Sequence, residues 1–182
     1  MKLSFVVYIA LISAFITSPS TQCNGLMRKL NSESQLSLTC RKTRDFGFCA
    51  YTLRTDPRSA HTNVNGLAQI ALDQLSAQAK VTSRYLQGLR GRVVGKEAQV
   101  VGRCIQLYRA MALKDVSEAI TSFNGKANGA AKHKANIAMK FARKCQQGVD
   151  HNPSPKWQMI SAMNKLTEDL SRLSSDLIRL LG

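Results

Sequence analysis

The sequence predicts an all-α fold, an antiparallel four-helix bundle preceded by a short N-terminal helical arm. Three observations carry that expectation. Four long segments repeat their apolar residues at steps of three and four, and no segment alternates as a strand would. The connections between them are short and rich in Gly, Asn and Pro, as antiparallel neighbours require. Downstream of the first thirty residues the cysteines are even in number (Cys40, Cys49, Cys104 and Cys145), which suits two bridges.

The chain opens with Met1-Lys2, an uncharged apolar run from Leu3 to Ile16, and the small polar segment TSPSTQCNG. These are the parts of a secretory signal peptide. The apolar run is short of the roughly 20 residues that span a bilayer, so no transmembrane anchor is expected. The leader occupies residues 1–23, with cleavage after Ser20 or after Cys23; the second cut is favoured because it removes the odd cysteine. Residues 24–182 are then one domain of a size that a single core supports, divided into an arm (24–60) and a bundle (61–182). The expected destination is extracellular.

Two short helices are expected in the arm, from Leu26 to about Leu36 and from Asp45 to about Thr55, and the Asp56–Ser59 turn leads into the bundle. The first bundle helix runs from about Asn63 to Leu89, its stripe formed by Val64, Leu67, Ala68, Ala71, Leu75, Ala79, Leu86 and Leu89. The second spans about Lys96 to Phe123, with Val101, Cys104, Tyr108, Ala112, Ala119 and Phe123 inward. The turn FNGKANG closes it. The third covers about Ala130 to Gln146, with Ile137, Ala138, Phe141, Ala142 and Cys145 on a narrower face. The fourth follows HNPSPKWQ, with Ser154 as expected N-cap and Pro155 in the first turn. Its stripe runs from Ile160 through Leu166, Leu170 and Leu173 to Leu180.

In an oxidising compartment paired cysteines are read first as disulfides. Zinc would need close cysteine pairs or His at ligand spacing; His61, His133 and His151 lie far from Cys40 and Cys49, and no C-x-x-C is present. Four cysteines allow three connectivities. The preferred one pairs Cys40 locally with Cys49, which stapes the arm, and leaves Cys104 with Cys145 between the second and third bundle helices.

No catalytic motif, metal-ligand set or cofactor signature is present, and an enzyme is the least favoured class. Asp169 and Asp176, seven apart on the last helix, are expected on a solvated face. The charge is lopsided: the formal net is +15. Between Glu118 and Asp150 there is no acidic residue, whereas Lys126, Lys132, Lys134, Lys140, Arg143 and Lys144 all fall there. Such a run is ordinarily a solvated face, but its lack of compensation points to an acidic partner: a protein surface, an anionic polysaccharide or an anionic membrane, with nucleic acid not expected for a secreted chain. Lys126, Asn128, Lys132, Lys134 and Lys140 are the candidate partner-binding residues, on the exposed sides of the second and third bundle helices and their loop, Phe123 to Ala130.

The stretch TCRKTRDFGFCAYTL followed by RTDPRSAHTNVNGLAQIAL resembles the plant invertase and pectin methylesterase inhibitor family. Thr39, Cys40, Thr43 and Cys49 match its T-C-x-x-T…C element, Asp56 to Ser59 its D-P-R-S turn, and Gly66, Leu67 and Ala68 its G-L-A helix start. Cys104 with Tyr108, and Ala142, Cys145 and Gly148, match later elements, so the likeness covers nearly the whole mature chain. It implies an up-and-down four-helix bundle with an N-terminal helical hairpin, bridges Cys40–Cys49 and Cys104–Cys145, and a non-catalytic inhibitor that covers the cleft of a pectin methylesterase or an acid invertase. The alternative is a non-inhibitory binding module that holds pectate or another anionic surface on the basic helix face. Two departures stand out. Invertase-directed members often carry Pro-Lys-Phe before the third bundle helix, where this chain has Asn128, Gly129 and Ala130. Around the last cysteine the family is usually acidic, whereas here Lys144-Cys145-Gln146-Gln147 is not.

Overall fold

The computed structural model describes residues 35–182, apart from the side chain of Lys156. The leader, Cys23 and most of the first arm helix lie outside the described residues. Helix α1 is described over residues 35–40, past the expected end at Leu36. It is followed by α2 (Phe46–Arg54), a 3-10 turn (Pro57–His61), α3 (Val64–Leu89), α4 (Gly95–Ala110), a π-helical turn (Met111–Asp115), α5 (Val116–Asn124), α6 (Asn128–Asp150), a second 3-10 turn (Pro155–Trp157) and α7 (Gln158–Arg179). Among the described residues there is no strand. Helix α3 packs on α4 and α7, and α6 packs on α7, α5 and α4. With α4 and α5 as one broken rod, four antiparallel elements close an up-and-down ring.

The family-like residues of the arm have local work to do. Thr39 is buried and its hydroxyl donates to the Gln35 carbonyl at 2.9 Å. Thr43 donates from both backbone and hydroxyl to the Cys40 carbonyl, at 3.0 and 2.7 Å, which ends α1. Asp45 caps α2 by accepting from the Phe48 amide. The Cys40–Cys49 bridge joins the two helices at a Cα separation of 5.5 Å. Both sulfurs sit in an apolar cluster with Leu36, Leu53, Leu72, Leu173 and Leu177, so the arm is an extension of the bundle core.

The turn into the bundle is fixed by charge. Asp56 accepts from the Arg58 backbone and guanidinium, and Arg58 also reaches Asp73 of α3 at 2.8 Å. Asn63 caps α3 by accepting from the Gly66 amide. Gly66 is required there, because a Cβ would lie 2.7 Å from the Thr62 Cβ and closer still to its hydroxyl.

The second bundle helix is interrupted, and its sequence shows why. Cys104, Tyr108 and Met111 step inward by four and three, but the next core residue, Val116, lies five further on. A π turn adds one residue to the helical turn and restores the phase. Met111 is therefore buried where Ala112 was expected, and Ala112 is only half-buried. Helix α6 runs four residues beyond the expected Gln146, because Val149 continues its buried line of Ala131, Ala135, Ala138, Ala142 and Cys145. Ser154 does not cap α7: its hydroxyl donates to Glu97 at 2.8 Å, and α7 starts at Gln158 after the 3-10 turn.

Asp176 corrects the expected solvated face of α7. It is 2% exposed and holds Arg44 from the arm, with Arg44 Nε and Nη2 at 3.0 and 2.8 Å from Oδ1. Asp169 is partly shielded and pairs with Lys165 and Arg172. In the centre of the bundle, the buried Tyr108 hydroxyl donates to Asn164 at 2.8 Å. Asn164 donates to Gln146, which in turn donates to Asp150 and Ser161. This network links α4, α6 and α7 across the core. Burial raises the Tyr108 pKa, so the phenol stays a neutral donor.

Candidate protein-docking surface

The expected surface begins at the α5–α6 turn. Gly125, Lys126 and Ala127 donate back to the Thr121, Phe123 and Ser122 carbonyls at 3.0, 2.9 and 2.8 Å, so the turn is tight. Its left-handed residue is Lys126, with φ 61°, rather than the glycine before it. That conformation is uncommon for a side chain, and Lys126 is exposed at the tip. Asn128 opens α6 and its amide donates to the Gly182 carbonyl at 3.4 Å, which holds the turn against the end of α7.

Along α6 the candidates separate. Lys132 and Lys134 are two residues apart and project about 200° from one another round the helix. Lys134 turns toward the preceding rod, where it meets Glu118 at 2.5 Å and Asp115 at 3.4 Å. Their hydrogen bond raises the Lys134 pKa and lowers that of Glu118. Arg143 pairs with Glu168 of α7 at 2.7 Å. Hence the basic run lacks compensation along the sequence but is compensated in part in space. Lys126 and Lys140 remain exposed and Lys132 half-buried, and among the described residues none of the three has an ion pair.

Two open clefts flank α4, and of the basic run on α6 only Lys144 lines one of them. One, of about 740 Å³ between α4 and α6, is lined by Arg103, Gln106, Leu107, Lys144, Gln147 and His151. The other, of about 640 Å³ between α3 and α4, is lined by Lys80, Arg84, Arg90 and Arg109 with Ser83, Gln87, Ile105, Ala112 and Leu113. A signal was present: between Asp73 and Asp115 Glu97 is the sole acidic residue, among eight Lys and Arg. Its carboxylate is engaged by Ser154.

What the surface can do is bind. His61, His133 and His151 are exposed and separate, and among the described residues no cluster of His, Cys, Asp or Glu could hold a metal ion. No helix of the described residues is long and apolar enough to cross a membrane. The Cys104–Cys145 bridge, with 5.0 Å between Cα atoms, ties α4 to α6 beneath the 740 Å³ cleft. Both faces of α4 are therefore displayed from a cross-linked frame.

The model of the plant invertase/pectin methylesterase inhibitor family matches residues 34–180. A pectinesterase inhibitor of Actinidia deliciosa is 29% identical over 170 residues, 92% of this chain and 88% of that protein. A cell wall/vacuolar inhibitor of fructosidase from Arabidopsis thaliana is 29% identical over 130 residues, 71% of this chain but 62% of its own length. In structure, a pectin methylesterase inhibitor from Arabidopsis thaliana superposes with a TM-score of 0.62 at 22% identity, covering 82% of this chain and 97% of that one. A mutant form of such an inhibitor reaches 0.71, over 80% and 96%. The helical bundle is thus shared, and the family consists of inhibitors rather than catalysts, so this chain is not an enzyme. The chain belongs to the plant invertase/pectin methylesterase inhibitor family.

Proposed function

We propose that the protein is a secreted inhibitor that docks on a pectin methylesterase, in preference to an acid invertase, and blocks its substrate cleft. The observation that carries the preference is the start of α6. Where invertase-directed members present Pro-Lys-Phe, this chain has Asn128-Gly129-Ala130, with Asn128 half-buried and tied to the carbonyl of Gly182. No aromatic side chain is available there to plug a sugar pocket. Inhibition needs no chemistry from the bundle. A rigid, doubly cross-linked surface that excludes substrate is sufficient, and rigidity limits the entropy lost on docking. The docking face comprises the α5–α6 turn, the outward side of α6 and the side of α4 that faces α6, with Lys126 and Lys140 meeting carboxylates of the enzyme. Cell wall or vacuole is the place of action. The alternative of a pectate-holding module on α6 draws less support, because Lys134 and Arg143 are already paired.

Titration of the purified protein against both enzymes at mildly acidic pH tests this. Loss of methylesterase activity at micromolar or lower protein, with invertase unaffected, is expected. Invertase inhibition alone reverses the preference, and inhibition of neither overturns the proposal. Lys126→Glu with Lys140→Glu should weaken inhibition about tenfold or more, since like charges would face each other across the interface.

A further inference from the structure

Lys80, Arg84 and Gln87 recur at steps of four and three along α3 and form one wall of the 640 Å³ cleft. Ile105 and Arg109 on α4 and Ala112 in the π turn repeat the same spacing as the opposite wall. The π turn carries Leu113 to its rim, where the side chain is 71% exposed. No carboxylate lines the cleft. Among the described residues none pairs with Lys80, Arg84, Arg90 or Arg109 either. Four uncompensated cations in one concavity focus a positive potential that open solvent would otherwise disperse.

We infer that this cleft binds a segment of acidic polysaccharide, a chain of pyranose rings that carry carboxylates. Each group on such a chain has a counterpart in the walls. The Arg84 and Arg109 guanidinium forks suit carboxylates. Gln87 and Ser83 supply an amide and a hydroxyl for ring hydroxyls, and Ile105 and Leu113 offer apolar surface to ring faces. A single-stranded nucleic acid would want aromatic platforms for its bases, and no aromatic side chain lines the cleft. A membrane surface would want an amphipathic face laid flat rather than a concavity. The site lies on the α3 side of α4, whereas the docking face proposed above lies toward α6, so the two proposals stand or fall separately.

The experiment is calorimetry of the purified protein at low salt. The probes are a de-esterified galacturonic acid oligomer, its fully methyl-esterified form, and polyglutamate of matched charge. The de-esterified oligomer should bind, the esterified one should not, and polyglutamate should bind at least about tenfold more weakly. Arg84→Gln with Arg109→Gln should weaken the oligomer about tenfold or more, through loss of charge-assisted hydrogen bonds. Lys132→Gln with Lys140→Gln should change it less than about twofold, and an unchanged melting curve shows that each variant is folded. Equal loss in the two variant pairs, or equal affinity for polyglutamate, would show diffuse polyanion attraction and overturn the assignment. So would absence of binding. Methylesterase inhibition by the Arg84/Arg109 variant, measured on fully esterified substrate, should equal that of the parent; if inhibition and oligomer binding fall together, the cleft contacts the enzyme and the polysaccharide assignment fails.

Discussion

The Arg44 guanidinium and the Asp176 carboxylate join the arm to the last helix across 132 positions of sequence. Asp176 also accepts from the Arg44 backbone amide at 3.1 Å, so one buried carboxylate fixes both the side chain and the chain path of the α1–α2 turn. Arg179 adds a bond to the Lys42 carbonyl at 3.2 Å. The two partners are unequal: the Arg44 side chain is 58% exposed and that of Asp176 3%. Removing Arg44 strands a buried charge, whereas removing the charge of Asp176 frees a cation into water. Arg44→Ala should therefore destabilise by about 2–3 kcal/mol and Asp176→Asn by less. Urea unfolding of both variants checks the order, and the reverse ranking would contradict this account.

The two bridges should fail differently. In the chain-entropy account, the 41-residue separation of Cys104 and Cys145 contributes about 4 kcal/mol and the nine-residue separation of Cys40 and Cys49 about 2.5 kcal/mol, both upper values. Cys104→Ala with Cys145→Ala should lower the global melting temperature, since it releases α4 from α6. Cys40→Ala with Cys49→Ala should act first on the arm. Hydrogen exchange of the Phe46–Arg54 amides is then expected to accelerate well before exchange in α3 or α7 does.

The helices themselves were legible because core contact is periodic. The stripes Leu67–Leu86 and Leu170–Leu177 are buried as the steps of three and four require. The π turn was not legible, since the five-residue step from Met111 to Val116 reads as noise inside a helical pattern. Nor was Asp176: a carboxylate beside an apolar stripe looks solvated unless its partner is known, and Arg44 is remote in sequence. The basic run on α6 misled for the same reason, because Glu118, Asp115 and Glu168 come from other helices. Spacing gives a helix its faces, but only the packing of the helices says which charges meet.

The Tyr108 network should contribute measurably to stability through its buried hydrogen bonds. Tyr108→Phe removes one buried hydroxyl and leaves the Asn164 carbonyl oxygen without its donor at 2.8 Å. Such an orphaned group costs about 1–3 kcal/mol, with little loss of packing because the ring remains. The urea midpoint should fall with an unchanged m-value. Asn164→Ala would also strand the Gln146 oxygen that accepts from it, and should cost more. Equal midpoints for Tyr108→Phe and the parent would show that the network contributes nothing.

Stability should decline on the acid side. The Arg143 hydrogen bond lowers the Glu168 pKa from its ordinary 4.5, helped by the charges of Arg143, Arg172 and Lys165. Lys134 does the same for Glu118 and Arg58 for Asp56. A carboxyl whose pKa falls on folding binds protons more readily in the unfolded chain. Its contribution is thus complete above the unfolded value and is lost as pH drops through the folded one. The melting temperature should be level from about pH 7 to about pH 5 and fall below about pH 4.5. Each pair keeps one well-exposed partner, Arg58, Glu118 or Arg143, so each effect is small and molar salt should flatten the decline. Arg143→Gln should reduce the acid-side slope and leave the Asp56 and Glu118 contributions in place. A decline that is steeper in the variant than in the parent would mean that Glu168 is not the group being titrated.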